Sequence, residues 1–493
     1  MTEAKFEKKH LTPKSKNISD WYTDVIQLAG LADYGPARGT MVFRPYGWAI
    51  WENIQKEFDK RIKKMGVENA YFPLFIPMGL LKKEKEHIEG FSPELAVVTY
   101  GGGKKLVEPL AVRPTSETIM YEMYAKWISS WRDLPLKINQ WNNIVRWEKR
   151  TYFFLRTLEF LWQEGHTAHA TYEEAEKMAL AALVNYQDFY EKIYALPVTI
   201  GIKSEAEKFA GADHTYTVEL LMPDGKALQG ATSHHLGDNF SKVFNIKFQD
   251  REGKIKYVYQ TSWGLSTRSI GGLILVHGDD KGLVLPPKLA PIKVAILPIF
   301  GKKDKEILRY CEKVKSEIEK KISDFPGEVK IYADSEKSYG WRVNETELQG
   351  IPLRISVGTR EFYDKTVTLN FRLEAVSAKL FRLEGLKDKI EEMLSLVQKQ
   401  MCSRAEKFLN ENIRQAKDYR QFKKIMKSQR GFIKAFWCEN PACEAKIKEE
   451  TKASIRLLPI NSKETESLPA GRQGQCICCG KSAKHIWYFA QAY

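Results

Sequence analysis

Three prolines fall within the nine residues LVLPPKLAP at 283–291, and the hydrophobic rhythm of the chain differs on their two sides. Proline lacks the backbone donor that helix and sheet interiors need, so such a cluster ends one packed unit and starts another. Downstream, IKVAILPIF, VKIYAD, LRISVG and KTVTLNF alternate with a charged helical stretch near 302–323, the spacing of a small α/β domain. Upstream, 170–194 is helical and TYTVELLMPDGKALQGAT reads as two strands joined at Pro223, Asp224 and Gly225. A chain of 493 residues is too long for one core, and about two to four domains are expected.

Between Tyr46 and Met65, the residues Trp48, Trp51, Ile54, Phe58, Ile62 and Met65 recur at three and four, predicting one long helix with a single buried face. VENAYFPLFIP follows as a strand, and Pro73 and Pro77 confine it to a sheet edge that a partner subunit can cover. The glycines of GGG at 101–103 mark a hairpin tip; Lys104 follows them, but the Gly-x4-Gly-Lys-Ser/Thr spacing of a phosphate loop is absent. A Lys- and Glu-rich amphipathic stretch at 385–430 leads into a cysteine-rich tail.

Seventy-seven Lys and Arg against 62 Asp and Glu leave a net charge of +15, which favours a polyanionic partner such as nucleic acid. The start MTEAKFEKKH has no apolar signal region and no apolar run reaches membrane-spanning length, so a soluble cytoplasmic protein is expected. Five of the seven cysteines crowd into the last 56 residues. Cys438-x4-Cys443, followed after 32 residues by CICCGK, has tetrahedral zinc spacing. Only one of Cys478 and Cys479 can complete it. Cys-x2-Cys before Gly480 resembles a zinc knuckle, which favours Cys438, Cys443, Cys476 and Cys479. KETESLPAGRQGQ, between the cysteine pairs, reads as a mobile loop.

The stretch VRWEKRTYFFLRTLEFLWQEGH at 145–166 is expected to form two strands and a turn, yet it sets Arg146, Glu148, Arg156 and Glu164 among Trp147, Phe154, Phe160 and Trp162. A half-buried hairpin with cross-strand ion pairs would have this composition. So would a pocket wall that holds an anion beside a cation. Two other segments, RPTSET at 113–118 and SWGLSTRSIGG at 262–272, also place Arg beside small or hydroxyl residues. Guanidinium groups match phosphate and carboxylate in bidentate geometry and hold the charge that builds during phosphoryl or nucleotidyl transfer. Gly264, Gly271 and Gly272 would let the backbone approach a flat base.

These segments resemble class II aminoacyl-tRNA synthetases. The helix and proline-bearing strand at 46–77 resemble motif 1, VRWE with Arg156, Phe160 and Glu164 resembles motif 2, and GLSTRSIGG resembles motif 3. Within that class, RPTSET, FLRTLEFLWQEGHTAH, QGATSHHLGDNF and VHGDDKGLVLPPKLAP are similar to prolyl-tRNA synthetases of the archaeal and eukaryotic type. HIEG at 87 and KIMKS at 424 faintly resemble class I signatures but lack the full pattern.

The resemblance implies an α+β fold: a class II antiparallel sheet flanked by helices over 1–288, an α/β anticodon-binding domain over 289–385, and a linker helix with a small zinc-bearing α+β domain over 386–493. It implies a homodimer that joins L-proline to tRNA(Pro) using ATP and Mg²⁺, with a structural Zn²⁺. By the same resemblance Arg146 would bridge the ATP α-phosphate and the proline carboxylate, and Arg156 and Arg268 would hold the other phosphates, Arg146 and Arg268 being the catalytic pair. Glu148, Gln229, Thr232 and Ser266 would place ATP and its metal. Thr115 and Glu117 would accept the two N–H donors of the proline ammonium, and Phe160, Trp162, His166 and His234 would wall its ring. Glu347 and Arg354 match positions that read the guanines of the anticodon. Taken singly, His166, His169, His234 and His235 are ordinary packed or surface histidines. The chain departs from the family pattern at Ala231, where glycine is usual, and at Leu158, where a polar residue is usual. Fewer than a hundred residues separate Glu164 from Ser262, which leaves no room for an inserted editing domain. The alternatives are a threonyl or glycyl enzyme, against which Thr115, Glu117 and TSHHLG argue, and a non-catalytic tRNA-binding paralogue, against which the retained Arg146, Glu148, Arg156 and Arg268 argue.

Overall fold

The computed structural model describes residues 11–81, 95–319, 325, 327–373, 377–460 and 474–493. HIEG and most of KETESLPAGRQGQ lie outside the described residues. The centre of the molecule is a sheet in the strand order Thr199–Ile202, His214–Leu221, Ala227–Gly237, Tyr259–Ser266, Glu159–His169, Leu136–Val145, antiparallel throughout, with Glu68–Asn69 added parallel at one edge. The helices Pro45–Lys64 and Tyr172–Lys192 pack on one face, where Phe58 stacks on Tyr186 at 5.2 Å and Trp263 closes the same core. Gly165 makes this packing possible, because a Cβ there would stand 2.2 Å from the Trp263 ring.

The long helix forms where its periodicity predicts, and Trp51, Ile54, Phe58 and Ile62 are buried. Trp48 is not; it stands 41% exposed with its Nε1 donating to Glu52. The inward position of the first turn is Gly47 instead, whose Cβ would lie 2.2 Å from the Leu31 carbonyl oxygen, so the helix start is too close to the chain beside it for a side chain. VENAYFPLFIP is two short strands rather than one. Glu68–Asn69 and Phe75–Pro77 belong to different sheets, each at an edge, as Pro73 and Pro77 require. GGG turns the hairpin between Ala96–Gly101 and Lys104–Val112, with Gly102 and Gly103 at positive φ.

The stretch 145–166 departs from the expected strand, turn and strand. The first strand ends at Val145 and the second begins at Glu159, so Arg146, Glu148 and Arg156 sit on a long loop. Burial pins that loop: Phe153 stacks on Tyr34 at 4.3 Å, Phe154 meets Phe43 edge-on at 5.3 Å, and the Tyr22 hydroxyl donates to the Phe153 carbonyl at 2.7 Å. Aromatic residues that looked like strand core are the anchors of a charged loop.

Residues 292–382 form a five-stranded sheet in the order Glu328–Ile331, Ile292–Pro298, Leu353–Val357, Thr366–Phe371, Lys379–Arg382, its first three strands parallel. The helix Leu386–Glu411 buries Leu386, Ile390, Leu394, Val397 and Met401 in the same core. The tail does not stand apart. Its strands Ile413–Gln415, Phe432–Trp437, His485–Gln491 and Ala453–Pro459 continue the central sheet, Leu458 pairing with Ile202 and Pro459 with Gly201.

Candidate functional site

Side chains alternate across a strand. Trp263 and Leu265 turn towards the packed helices, while Phe160, Trp162, Glu164, His166, Ser262, Gly264 and Ser266 line an open cleft with ≈ 960 Å³ of empty space. The cleft also takes in Thr115, Glu117, Arg146 and Arg268 from other elements, with Gln229, Thr232 and His234 from Ala227–Gly237. Eleven of the residues singled out from the sequence for proline or ATP are therefore brought together. Glu148 and Arg156 are not in this lining. They pair with each other at 3.7 Å on the loop, and Arg156 lines an adjoining cavity that shares Arg268 with the cleft.

At one end lies a buried acid and histidine network. Thr115 Oγ1 donates to Glu117, Ser116 Oγ and Asn142 Nδ2 donate to Glu164 Oε1, and His166 Nε2 lies 3.1 Å from Glu164 Oε2. Burial pushes the Glu164 carboxyl up, but the hydrogen bond and charge of His166, with Ser116 and Asn142, outweigh it and hold the group below the usual carboxylate range. Burial likewise opposes the charged form of His166, and the Glu164 hydrogen bond with the Glu117 and Glu164 charges outweighs it, raising the imidazole above its ordinary value. His234 accompanies His166 in the cleft, its Nδ1 3.0 Å from Thr215 Oγ1. His169 and His235 are packed instead: His169 pairs with Thr167 and is pushed down to about 3 by burial, and His235 Nε2 lies 3.1 Å from the Tyr172 carbonyl oxygen.

At the other end the charge is positive. Arg268 is half-buried, its Nε donates to the Leu155 carbonyl at 3.1 Å, and desolvation followed by Arg146 and Arg156 pushes its guanidinium down to about 10. Arg146 and Arg156 lie near enough to disfavour the charge on Arg268, with Glu148 the carboxylate that opposes them, so the end of the cleft favours an anion. Arg146 stands between the two ends, its Nε donating to the Pro114 carbonyl at 3.1 Å and its cation 5.5 Å from the Phe160 ring centroid and 5.7 Å from that of Trp162. Of the glycines expected beside a flat base, only Gly264 lines the cleft. A Cβ on Gly271 would meet Leu155 at 2.5 Å and the Tyr22 hydroxyl at 2.7 Å, and one on Gly272 would meet Leu228 at 3.1 Å, so these two serve helix packing.

In the second sheet, Arg354 on Leu353–Val357 reaches Glu347 near the end of the helix Tyr339–Leu348 at 3.3 Å, both side chains largely covered. In the tail, the sulfurs of Cys438, Cys443, Cys476 and Cys479 lie within 4.8 Å of one another, with Cys438 3.7 Å from both Cys443 and Cys479. That spacing is far too long for a disulfide and equals the edge of a tetrahedron with metal–sulfur bonds of about 2.3 Å. Gly480, at φ +74°, turns the chain after Cys479.

Comparison with known proteins bears on this arrangement. Residues 103–277 match the class II tRNA synthetase core domain (G, H, P, S and T), 293–399 match an anticodon-binding domain, and 419–493 match the C-terminal domain of prolyl-tRNA synthetase. The proline–tRNA ligase of Natranaerobius thermophilus is 49% identical over 489 residues, covering 98% of each chain. The chain belongs to the prolyl-tRNA synthetase family. The proline–tRNA ligase of Borreliella burgdorferi is 49% identical over 98% of this chain and 99% of its own. A prolyl-tRNA synthetase structure from Cryptosporidium parvum, complexed with halofuginone and AMPPNP, superposes with a TM-score of 0.92 at 42% identity, covering 98% of this chain and 96% of that one.

The cleft is also lined by residues that sequence reasoning did not select, among them Lys203, Glu207, Lys208, Phe209 and Thr215. Glu164 was named as part of motif 2 without a place in the site. Its period-2 spacing from Phe160, Trp162 and His166 carried that signal. Lys203 to Phe209 lie on an irregular segment that has no periodicity to read.

Proposed function

We propose that the cleft activates L-proline with ATP and passes it to the 3′ end of tRNA(Pro). The supporting observation is that Arg146 joins an acidic, aromatic pocket to a cluster of guanidinium groups. In that pocket Thr115 and Glu117 accept from the secondary ammonium, while Phe160, Trp162, His166 and His234 enclose the ring. The proline carboxylate attacks the α-phosphorus, the bond to the β-phosphate oxygen breaks, and pyrophosphate leaves. The nucleophile is already ionised, so positioning and charge neutralisation by Arg146, Arg156 and Arg268 carry the step. Gln229, Thr232 and Ser266 hold the nucleotide. Glu148 would supply the kind of hard oxygen that a Mg²⁺ bound with ATP takes, and such an ion would neutralise phosphate charge. The terminal ribose hydroxyl of tRNA then attacks the prolyl carbonyl of the mixed anhydride, the bond to the phosphate oxygen breaks, and AMP leaves.

Glu347 and Arg354 read the guanines of the anticodon, a carboxylate accepting from a base amino group and an arginine donating to its edge. The four clustered thiols fit a structural Zn²⁺ in donor type and spacing. A homodimer is supported by exposed apolar side chains such as Val42, Tyr71, Phe75, Val97, Tyr100 and Val107 around the edge strands. No helix among the described residues is long and apolar enough to cross a membrane. Work on tRNA favours a cytoplasmic enzyme. The domains are 1–288, 289–385 and 386–493. Purified chain with ATP, tRNA and labelled proline should yield acid-precipitable label, whereas labelled threonine or glycine should not. Label from threonine or glycine in place of proline would refute the assignment.

A further inference from the structure

The segment 203–213 connects Thr199–Ile202 to His214–Leu221 and brings Lys203, Glu207, Lys208 and Phe209 to the cleft. On its inner side the Phe209 ring lies 4.6 Å from that of His234, and its backbone N–H donates at 2.9 Å to Thr215 Oγ1, which also contacts His234. On its outer side it meets the C-terminal part of the chain. Ser204 Oγ donates to Glu444 Oε1 at 2.8 Å, both residues buried. Lys448 Nζ donates to Glu207 Oε1 at 3.1 Å. Buried Arg456 grips Glu219 Oε2 through Nε at 3.1 Å and Nη2 at 2.7 Å, while Lys203 Nζ reaches Glu219 Oε1 at 3.2 Å.

We infer that the C-terminal domain positions the amino-acid end of the cleft, holding 203–209 through Ser204–Glu444, Glu207–Lys448 and Lys203–Glu219–Arg456. This rests on the cleft being the site of proline activation. An irregular segment samples many backbone states unless its contacts select one. Only states that set Phe209 against His234 complete the pocket wall. When such states are a fraction of the population, apparent affinity falls by that fraction. Bound substrate restores the same arrangement, so turnover at saturation is spared. The nucleotide end, built on Arg156 and Arg268, makes none of these contacts. Ser204, Glu444 and Lys448 are therefore positioning residues whose loss separates the two substrates.

The test is pyrophosphate exchange with proline and ATP varied in turn, alongside zinc content. Ser204→Ala, which orphans a buried acceptor, should raise the proline KM about tenfold. Lys448→Ala, at an exposed ion pair, should raise it about twofold. The ATP KM, kcat and zinc content should stay at wild-type values in both. Glu444→Gln keeps an acceptor oxygen for Ser204 and should behave as the wild type. Hydrogen exchange across 203–213 should quicken in Ser204→Ala. Should Ser204→Ala fail to fold, the surface variant Lys448→Ala carries the same test. Wild-type proline KM in folded Ser204→Ala or Lys448→Ala, or proline and ATP KM rising together, overturns the inference while proline activation stands. A wild-type chain that does not respond to proline overturns the underlying reading instead.

Discussion

Arg146→Ala should lower proline-dependent adenylate formation at least about a hundredfold, because one charge contact made in the transition state is worth roughly 3 to 4 kcal/mol. The expectation follows from its place between the acidic pocket and the arginine cluster, with its guanidinium over Phe160 and Trp162. Lysine should not rescue it, since a point charge cannot span a carboxylate and a phosphate in bidentate geometry. Arg354→Ala provides the contrast. It lies in a different sheet, paired with Glu347, and should leave adenylate formation at wild-type rates while lowering tRNA charging roughly ten- to a hundredfold, the worth of one bidentate base contact at about 1 to 3 kcal/mol. Pyrophosphate exchange and aminoacylation, measured side by side, separate the two. Equal damage to both reactions by Arg354→Ala would contradict the division of labour.

The second large effect concerns the tail. Cys479→Ser should reduce bound zinc from about one ion per chain to near none, whereas Cys478→Ser should retain it, because only Cys479 joins Cys438, Cys443 and Cys476 in the compact sulfur cluster. Metal analysis of the two purified variants decides the ligand set; retention by Cys479→Ser with loss in Cys478→Ser would reverse it. The consequence reaches beyond the ion. Cys438 follows the strand Phe432–Trp437 and Cys443 sits in the first turn of the helix Pro441–Thr451, which also carries Glu444 and Lys448. Structural zinc binding contributes folding free energy directly, on the order of 10 kcal/mol in small zinc peptides. Its loss should therefore loosen the sheet edge formed by 413–491.

What could be read from the sequence was whatever is local. The three-proline break separates the two sheets, the spacing of Trp51, Ile54, Phe58 and Ile62 specifies a helix face, and the Cys-x2-Cys before Gly480 marks a knuckle turn. The arginines were found by residue type, but their setting was misjudged. Alternation suggested a strand across 145–166, and the buried Phe153, Phe154 and Leu155 pin a loop there instead. Other features depend on partners far away in the chain. Nothing near Leu458 shows that it pairs with Ile202, and nothing near Gly271 shows that Leu155 and Tyr22 crowd it. Lys203 to Phe209 enter the cleft because residues more than two hundred positions later hold their outer side, a relation no window of sequence contains.

Proline specificity is the central claim, and amino-acid-dependent pyrophosphate exchange across all twenty amino acids tests it most directly. The pocket built on Thr115, Glu117, Phe160, Trp162, His166 and His234 predicts that proline drives exchange far above the rest. Alanine should follow as a weak second, since a pocket of that size loses only a few methylenes of contact with it, about 1 to 3 kcal/mol. Between Glu164 and Ser262 the helices Tyr172–Lys192 and Asn239–Phe244, strands of the central sheet and the small two-stranded sheet of Lys247–Gln249 and Ile255–Tyr257 occupy the chain, leaving no separate hydrolytic domain to remove the product. Exchange driven chiefly by threonine or glycine, or no response to any amino acid while ATP still binds, would contradict the account.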